Sequence, residues 1–209
     1  MNHVIFDFDG TLVDSLPVVV RIANHMVPDL NLGPEELEKV RVMPARELIK
    51  YSGIPYWKLA RLLFKGKKIM AQHTDELKVF SGIHQVIRDL QKDGFQVSVV
   101  SSNSERIIRE VLRREGIEDC FVGVYGNVGL FNKARVFKTV LKDQKAKAHD
   151  AIYVGDEVRD IDAAHRGRIP VISVTWGYNA ESVLVKNKPT YLVHTPKELL
   201  QTIQKAAKA

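Results

Sequence analysis

Val4-Ile5-Phe6-Asp7-Phe8-Asp9-Gly10-Thr11-Leu12 is an apolar run that stops at two acids one residue apart. The run reads as a strand whose carboxyl end presents Asp7, followed by a turn carrying Asp9. Residues i and i+2 of a strand face the same side, so both carboxylates can point into one site while Phe8 faces away. Nothing local neutralises them. Two acids about 5 Å apart repel by roughly 3 kcal/mol at an effective dielectric of 20, so a chain that brings them together calls for a cation. Taken alone, the stretch also fits a strand followed by an ordinary Asp-Gly turn.

The cation gains support near the other end, in Ala151-Ile152-Tyr153-Val154-Gly155-Asp156-Glu157-Val158-Arg159-Asp160. An apolar run again stops at an acid, Asp156, and Asp160 follows at i+4. A helix starting near Glu157 puts Asp160 on its first turn, back beside the strand end. Four carboxylates then converge from two strand tips. Hard oxygen ligands without companion cysteines or histidines suit Mg²⁺ better than zinc.

These two motifs together resemble those of the haloacid dehalogenase superfamily of phosphohydrolases, and more closely its phosphoglycolate-phosphatase-like branch. The resemblance covers nearly the whole chain. Between the acidic motifs come, in the family's order, a strand ending in a hydroxyl at Ser101 and a lysine at Lys133. Downstream, Val174-Thr175-Trp176-Gly177-Tyr178 resembles a segment common in this branch. The resemblance implies Mg²⁺ held by the Asp7 carboxylate, the Asp9 backbone carbonyl and Asp156, with Asp160 assisting directly or from behind. It also implies a small helical cap after the first motif, with Arg46 where some relatives place a substrate contact. One departure is visible: many relatives have proline after the lysine, whereas Ala134 and Arg135 follow Lys133 here.

Phosphoryl transfer needs an in-line nucleophile, cations around the equatorial oxygens and a proton for the leaving group. Asp7, at the strand end, suits the nucleophile and would form an aspartyl phosphate that water later hydrolyses. Asp9 can reach the leaving oxygen as general acid and then activate the water. Ser101 ends a strand and Ser102-Asn103-Ser104 opens a helix, so a hydroxyl and free backbone N–H groups can grip an anion, in keeping with an ordinary helix cap. Lys133 would bring positive charge to the phosphate oxygens and Asp7. Lys138 and Lys142 share its helical pattern and are its competitors.

Strand-like runs at Val4–Phe8, Phe95–Val100, Phe121–Tyr125, Ile152–Val154 and Val171–Val174 alternate with helical patterns at His84–Lys92, Glu105–Arg114, Lys133–Leu141, Val158–His165 and Pro196–Ala206. This alternation predicts an α/β fold, a Rossmann-like and mostly parallel sheet with helices on both faces and the active site at the strands' carboxyl ends. Residues 16–79 break it, reading as helices at Val18–Met26, Pro34–Val40, Ala45–Tyr51 and Tyr56–His73 punctuated by proline and glycine. The expected organisation is an α/β phosphatase core of residues 1–15 and 80–209 and a helical cap of residues 16–79.

The 209 residues, 45% of them hydrophobic, suffice for a real core. No apolar run approaches the roughly 20 residues needed to span a bilayer, and the start shows no signal segment, so no membrane partner is expected. The single cysteine, Cys120, cannot form an internal disulfide and reads as a small buried hydrophobe, which fits a cytoplasmic location. A net charge of +6 raises the question of nucleic acid. The clearest basic bias, Lys58, Arg61, Lys65 and Lys68, forms a helical stripe opposite Leu59, Leu62, Leu63, Ile69 and Met70 and reads as a solvated face. Without zinc-finger spacing or an aromatic-rich basic motif, no nucleic-acid partner is expected. None of the seven histidines forms a close pair at ligand spacing, and Trp57 and Trp176 read as packing residues.

The sequence therefore predicts a Mg²⁺-dependent phosphomonoester phosphatase acting on a small phosphorylated metabolite, with oligomeric state left open. A sugar-phosphate mutase or pyrophosphatase would share the same core motifs. A phospho-accepting receiver domain would lack both Asp9 and the helical insert, and intact Asp7, Asp9, Lys133 and Asp156 argue against an idle binding protein.

Overall fold

The computed structural model describes residues 1–129 and 132–208. Six strands form one sheet in the spatial order β5 (Phe121–Tyr125), β4 (Gln96–Val100), β1 (His3–Phe6), β6 (Ala151–Gly155), β7 (Val171–Val174) and β8 (Tyr191–Val193). Every pairing in it is parallel. β1, β6 and β7 are buried along their whole length, which suits a parallel sheet covered on both faces and explains their nearly continuous apolar sequence.

Alternate residues of the central strands feed two separate cores. Val4, Phe6, Val97, Val99, Ile152 and Val154 pack on one side with α5 (Ile83–Lys92), α6 (Glu105–Arg114) and α10 (Pro196–Lys208). Ile5, Val100, Tyr153 and Val171 pack on the other with α7 (Lys133–Asp143), α8 (Val158–Gly167) and Leu184 of α9 (Glu181–Lys186). The helices dock through apolar residues at the expected three- and four-residue spacings, as with Ile107, Ile108, Val111 and Leu112 on α6.

Strand order reverses between β4 and β6 on either side of β1. In an open α/β sheet this switch point leaves a crevice at the carboxyl ends. The β1 and β6 tips lie side by side there, with Phe6 opposite Val154.

β1 is shorter than the sequence suggests. It ends at Phe6, although the Asp7 N–H still donates to the Val154 carbonyl at 2.8 Å. The chain then turns, with the Leu12 and Val13 N–H groups both donating to the Phe8 carbonyl at 3.0 Å. β2 (Val13–Asp14) follows and pairs antiparallel with β3 (Lys78–Val79). Between these two short strands lie α1 (Leu16–Met26), α2 (Pro34–Arg41), α3 (Ala45–Tyr51) and α4 (Tyr56–Met70), none of which adds to the main sheet.

β2, β3, β8 and α9 have no counterpart in the sequence reading, because two- and three-residue strands and a six-residue helix carry too little periodicity. The tryptophans part ways. Trp176 packs edge-on against Phe80 at 6.3 Å and donates its Nε1 hydrogen to the Thr11 carbonyl at 3.2 Å. Trp57, expected to pack, is instead 74% exposed at the start of α4, whereas Ile69 and Met70 at the helix's far end pack on the core.

Candidate active site

Asp7, just past β1, and Asp156, just past β6, are carried to adjacent strand tips by the register of their strands. Asp160, on the first turn of α8, joins them, and one carboxylate oxygen from each lies within 4.8 Å of the other two. All three are buried. Gly155 makes room for this, because a Cβ there would meet the Asp160 carboxylate at 2.7 Å.

Lys133, at the first position of α7, enters the cluster from the second core. It is only 2% exposed and donates to Asp7 Oδ2 at 2.5 Å, Asp160 Oδ1 at 2.7 Å and the Tyr153 hydroxyl at 2.9 Å. An ordinary solvated lysine is ruled out by that placement. Burial alone would lower its pKa, but the Asp160 and Asp7 carboxylates outweigh burial and hold it above the usual value. The ammonium stays charged.

Each acid is held differently. Asp160 takes Lys133 and the Tyr153 hydroxyl on Oδ1 and the Glu157 N–H on Oδ2, at 2.7, 3.1 and 3.0 Å. Burial pushes its pKa up, yet the Lys133 and Arg159 charges win and hold it below the usual carboxylate range. Asp156 accepts from the Thr11 hydroxyl and the Tyr178 N–H, both at 2.7 Å. Burial, then the charges of Glu157, Asp160 and Asp7, pushes it well above the usual range. Asp7 accepts from the Phe8 N–H at 2.7 Å, and burial raises it to about 7 against the pull of Lys133. Three carboxylates around one lysine leave uncompensated negative charge, and the donors are all hard oxygens. That set fits a divalent cation such as Mg²⁺.

Asp9 sits half-buried in the turn beyond, where Asn103 Nδ2 reaches its carboxylate oxygens at 3.1 and 3.3 Å. Burial raises its pKa, opposed by hydrogen bonds from Ser15 and Asn103. Buried Ser101 lies just past β4 and accepts the Asn103 N–H at 3.0 Å, which leaves its own hydroxyl hydrogen to donate elsewhere. Ser102 is half-buried beside it, and Ser104 caps α6 by accepting the Ile107 N–H at 3.3 Å. The second and first motifs thus meet through Asn103. Arg46 is exposed on the first turn of α3.

Thr11, Tyr153, Tyr178 and Arg159 belong to the site but were not singled out from the sequence. Arg159, at the second position of α8, pairs with Glu157 and keeps its Nε and Nη1 hydrogens buried without a partner. For Tyr153 a signal existed: a phenol inside a wholly buried strand needs a partner for its hydroxyl. Thr11 and Tyr178 act through contacts with Asp156 that no local pattern encodes.

Residues 4–174 match the haloacid dehalogenase-like hydrolase family. The chain is 34% identical over 206 residues to the phosphoglycolate phosphatase of Synechococcus elongatus, covering 97% of each. It is 26% identical to phosphoglycolate phosphatase 1 of Pseudomonas aeruginosa, over 98% of this chain and 80% of that one. Among solved structures, one described as a predicted phosphatase from Clostridium acetobutylicum superposes with a TM-score of 0.83 over 98% of both chains at 24% identity.

Proposed function

The chain belongs to the haloacid dehalogenase-like hydrolases and is a phosphatase of small phosphate metabolites; from that premise we propose a Mg²⁺-dependent phosphoglycolate phosphatase that works through an aspartyl phosphate on Asp7. The observation that carries the reading is the contact of Lys133 with Asp7 and Asp160 beside Asp156, at the sheet's switch point.

Asp7 attacks phosphorus, and the bond from phosphorus to the ester oxygen breaks as that oxygen takes a proton from Asp9. Burial keeps Asp9 more readily protonated than a solvated acid, which suits the first role. In the second half-reaction the Asp9 carboxylate takes a proton from water, which displaces Asp7 from phosphorus and frees phosphate. Lys133 orients Asp7 and offsets charge on the phosphoryl oxygens. Asp160, saturated by Lys133 and Tyr153 on one oxygen, serves chiefly to hold that lysine. The Ser101 hydroxyl and the backbone beside Ser102 and Asn103 donate to the phosphate. Mg²⁺ bound by Asp7, Asp156 and the Asp9 carbonyl would neutralise charge on the phosphoryl oxygens. Residues 16–79 act as a cap that excludes water and carries substrate choice, with Arg46 a candidate contact.

The test is phosphate release from phosphoglycolate and a panel of other esters, with Mg²⁺ and with chelator. We expect turnover that chelation abolishes and Mg²⁺ restores, and that Asp7→Asn lowers by at least about 10⁴-fold while the circular dichroism spectrum is unchanged. Activity surviving chelation, or an active Asp7→Asn enzyme, overturns the mechanism. A kcat/KM for phosphoglycolate no higher than for generic esters overturns the substrate.

A further inference from the structure

The helical insert touches the rest of the molecule at two ends, and they differ in kind. At its base, Thr74 donates to Glu110 and Arg114 donates to the Thr74 carbonyl, each at 2.5 Å, and Arg114 also reaches the Leu77 carbonyl. Thr74 and Leu77 are buried. At its tip, the end of α2 rests on the turn that follows β7. Asn179 Nδ2 donates to the Arg41 and Met43 carbonyls at 3.1 and 3.2 Å, the Ala180 N–H donates to the Arg41 carbonyl at 2.9 Å, and Arg41 Nη2 returns a bond to the Gly177 carbonyl at 3.2 Å.

The Arg41 carbonyl is one of those a helix end leaves without an internal partner. Here the turn supplies partners for both of its lone pairs. Were the insert to lift, water could replace them, so the contact is reversible in a way the buried base is not.

The same turn, residues 176–180, also grips the catalytic end of the sheet. Trp176 holds the Thr11 carbonyl, the Tyr178 N–H holds Asp156 Oδ2, and the Tyr178 hydroxyl meets Ser15 Oγ at 2.7 Å, where β2 leads into α1. Asn179 Oδ1 accepts the Val158 N–H at the start of α8 at 2.9 Å. Gly177 passes so close that a Cβ would collide with Asp156 and the Gly10 carbonyl. The insert tip, the junction of β2 with α1 and Asp156 therefore share one short turn.

We infer that residues 176–180 form a closure latch for the insert, with Asn179 as its positioning residue: one face of its side chain is fixed to α8 and the other captures the two carbonyls at the tip. Asn179 is buried, and its amide is fully used only with the insert seated. The kinetic half of the test rests on the phosphatase reading, whereas the exchange half stands without it.

Two variants approach the contact from opposite sides. Asn179→Asp keeps the acceptor for Val158 but sets an acceptor against the Arg41 and Met43 carbonyls. Arg41→Met removes the bond to Gly177 from the insert. Amide hydrogen exchange is read by NMR at Ala180, whose N–H is held by the Arg41 carbonyl, and at Val99 and Ile152 in the sheet. We expect exchange at Ala180 to accelerate about tenfold or more in Asn179→Asp, and by less in Arg41→Met, with Val99 and Ile152 unchanged. KM for phosphoglycolate should rise about tenfold in Asn179→Asp while kcat stays within about threefold, because looser closure is felt first as weaker capture. Unchanged exchange at Ala180 overturns the latch. So does acceleration at all three positions, or a fall in kcat at constant KM, which would assign Asn179 to holding the Asp156 loop. If Asn179→Asp does not fold, the same readouts on Arg41→Met decide the matter.

Discussion

Along β6 and β7 every residue is buried, whereas among the described side chains from residue 16 to 70 the buried hydrophobic ones are Val18, Ile22, Val40 and Met70. The insert meanwhile exposes Val42, Leu48, Tyr51, Trp57, Leu63 and Phe64. The sheet's carboxyl end is held by its own core and by buried charged groups bonded to one another, Lys133 with Asp7 and Asp160. The insert owes its position largely to what it rests on. On the proposed mechanism, the groups that keep their geometry through each turnover sit in the first region and those that shift with substrate in the second, where local opening costs less.

The sharpest way to break this division is at Asp9, which the structure ties to the core through Asn103. Asp9→Asn should slow alkyl phosphates about 10²–10⁴-fold more than an aryl phosphate, whose departing oxygen needs little protonation. Equal losses on both ester types, measured as kcat/KM, would mean that Asp9 serves the insert's closure rather than the chemistry.

Removing Lys133 tests whether the core is as interdependent as it looks. Lys133→Met strands Asp7 and Asp160 as buried, unpaired carboxylates, so we expect a loss of about 3–5 kcal/mol in stability together with an activity loss of about 10²-fold. Denaturant melts of the wild-type and variant proteins provide the check. A stable variant would show that the acids protonate without strain.

A smaller effect concerns pH. Asp7, Asp9 and Asp156 all have pKa values raised in the folded state, so below those values the native protein binds more protons than the unfolded chain. With chelator present, stability should fall as pH rises from the ordinary carboxylate range toward 7, the value to which Asp7 is raised. His3, lowered chiefly by burial, acts in the opposite sense below its usual value. We expect Tm to drop by about 5 °C between pH 5 and 7.5 in chelator, and Mg²⁺ to recover most of it. A flat profile in calorimetry would place the cluster's charge elsewhere.

The smallest expected change lies in the insert. Arg46→Ala should alter ratios of kcat/KM among natural esters a few-fold while leaving a small aryl phosphate within about twofold. If all ratios hold, specificity sits on another part of the insert, with Arg41 and Lys50 next.

What could be read in advance follows the same boundary. Asp7 and Asp156 stand out because each ends an apolar run, and an acid at a buried strand's tip is legible without knowing its neighbours. The parallel sheet follows from the alternation of runs that were each long enough to show a period. Lys133 was legible only by resemblance, since Lys138 and Lys142 share its pattern. Thr11 and Asp156 lie 145 positions apart, and their bond depends on a fold rather than a motif. Asn179 works by meeting backbone carbonyls, which no side-chain pattern announces. Trp57 misled for a plain reason: its size argues for burial, but the insert is too small to offer a core on every side of α4.

Finally, the two crossings between the sheet and the helices are zipped together. Val13 lies opposite Val79, Asp14 opposite Lys78, and the Phe80 N–H donates to the Leu12 carbonyl at 3.0 Å. The chain thus leaves and rejoins the α/β framework at one point, closed by its own miniature ribbon. What hangs from that ribbon can lengthen, shorten or be exchanged at little cost in loop closure, because the ends never have to move apart. The ribbon at Val13 and Val79 is therefore the seam at which a different insert would be grafted onto the same sheet.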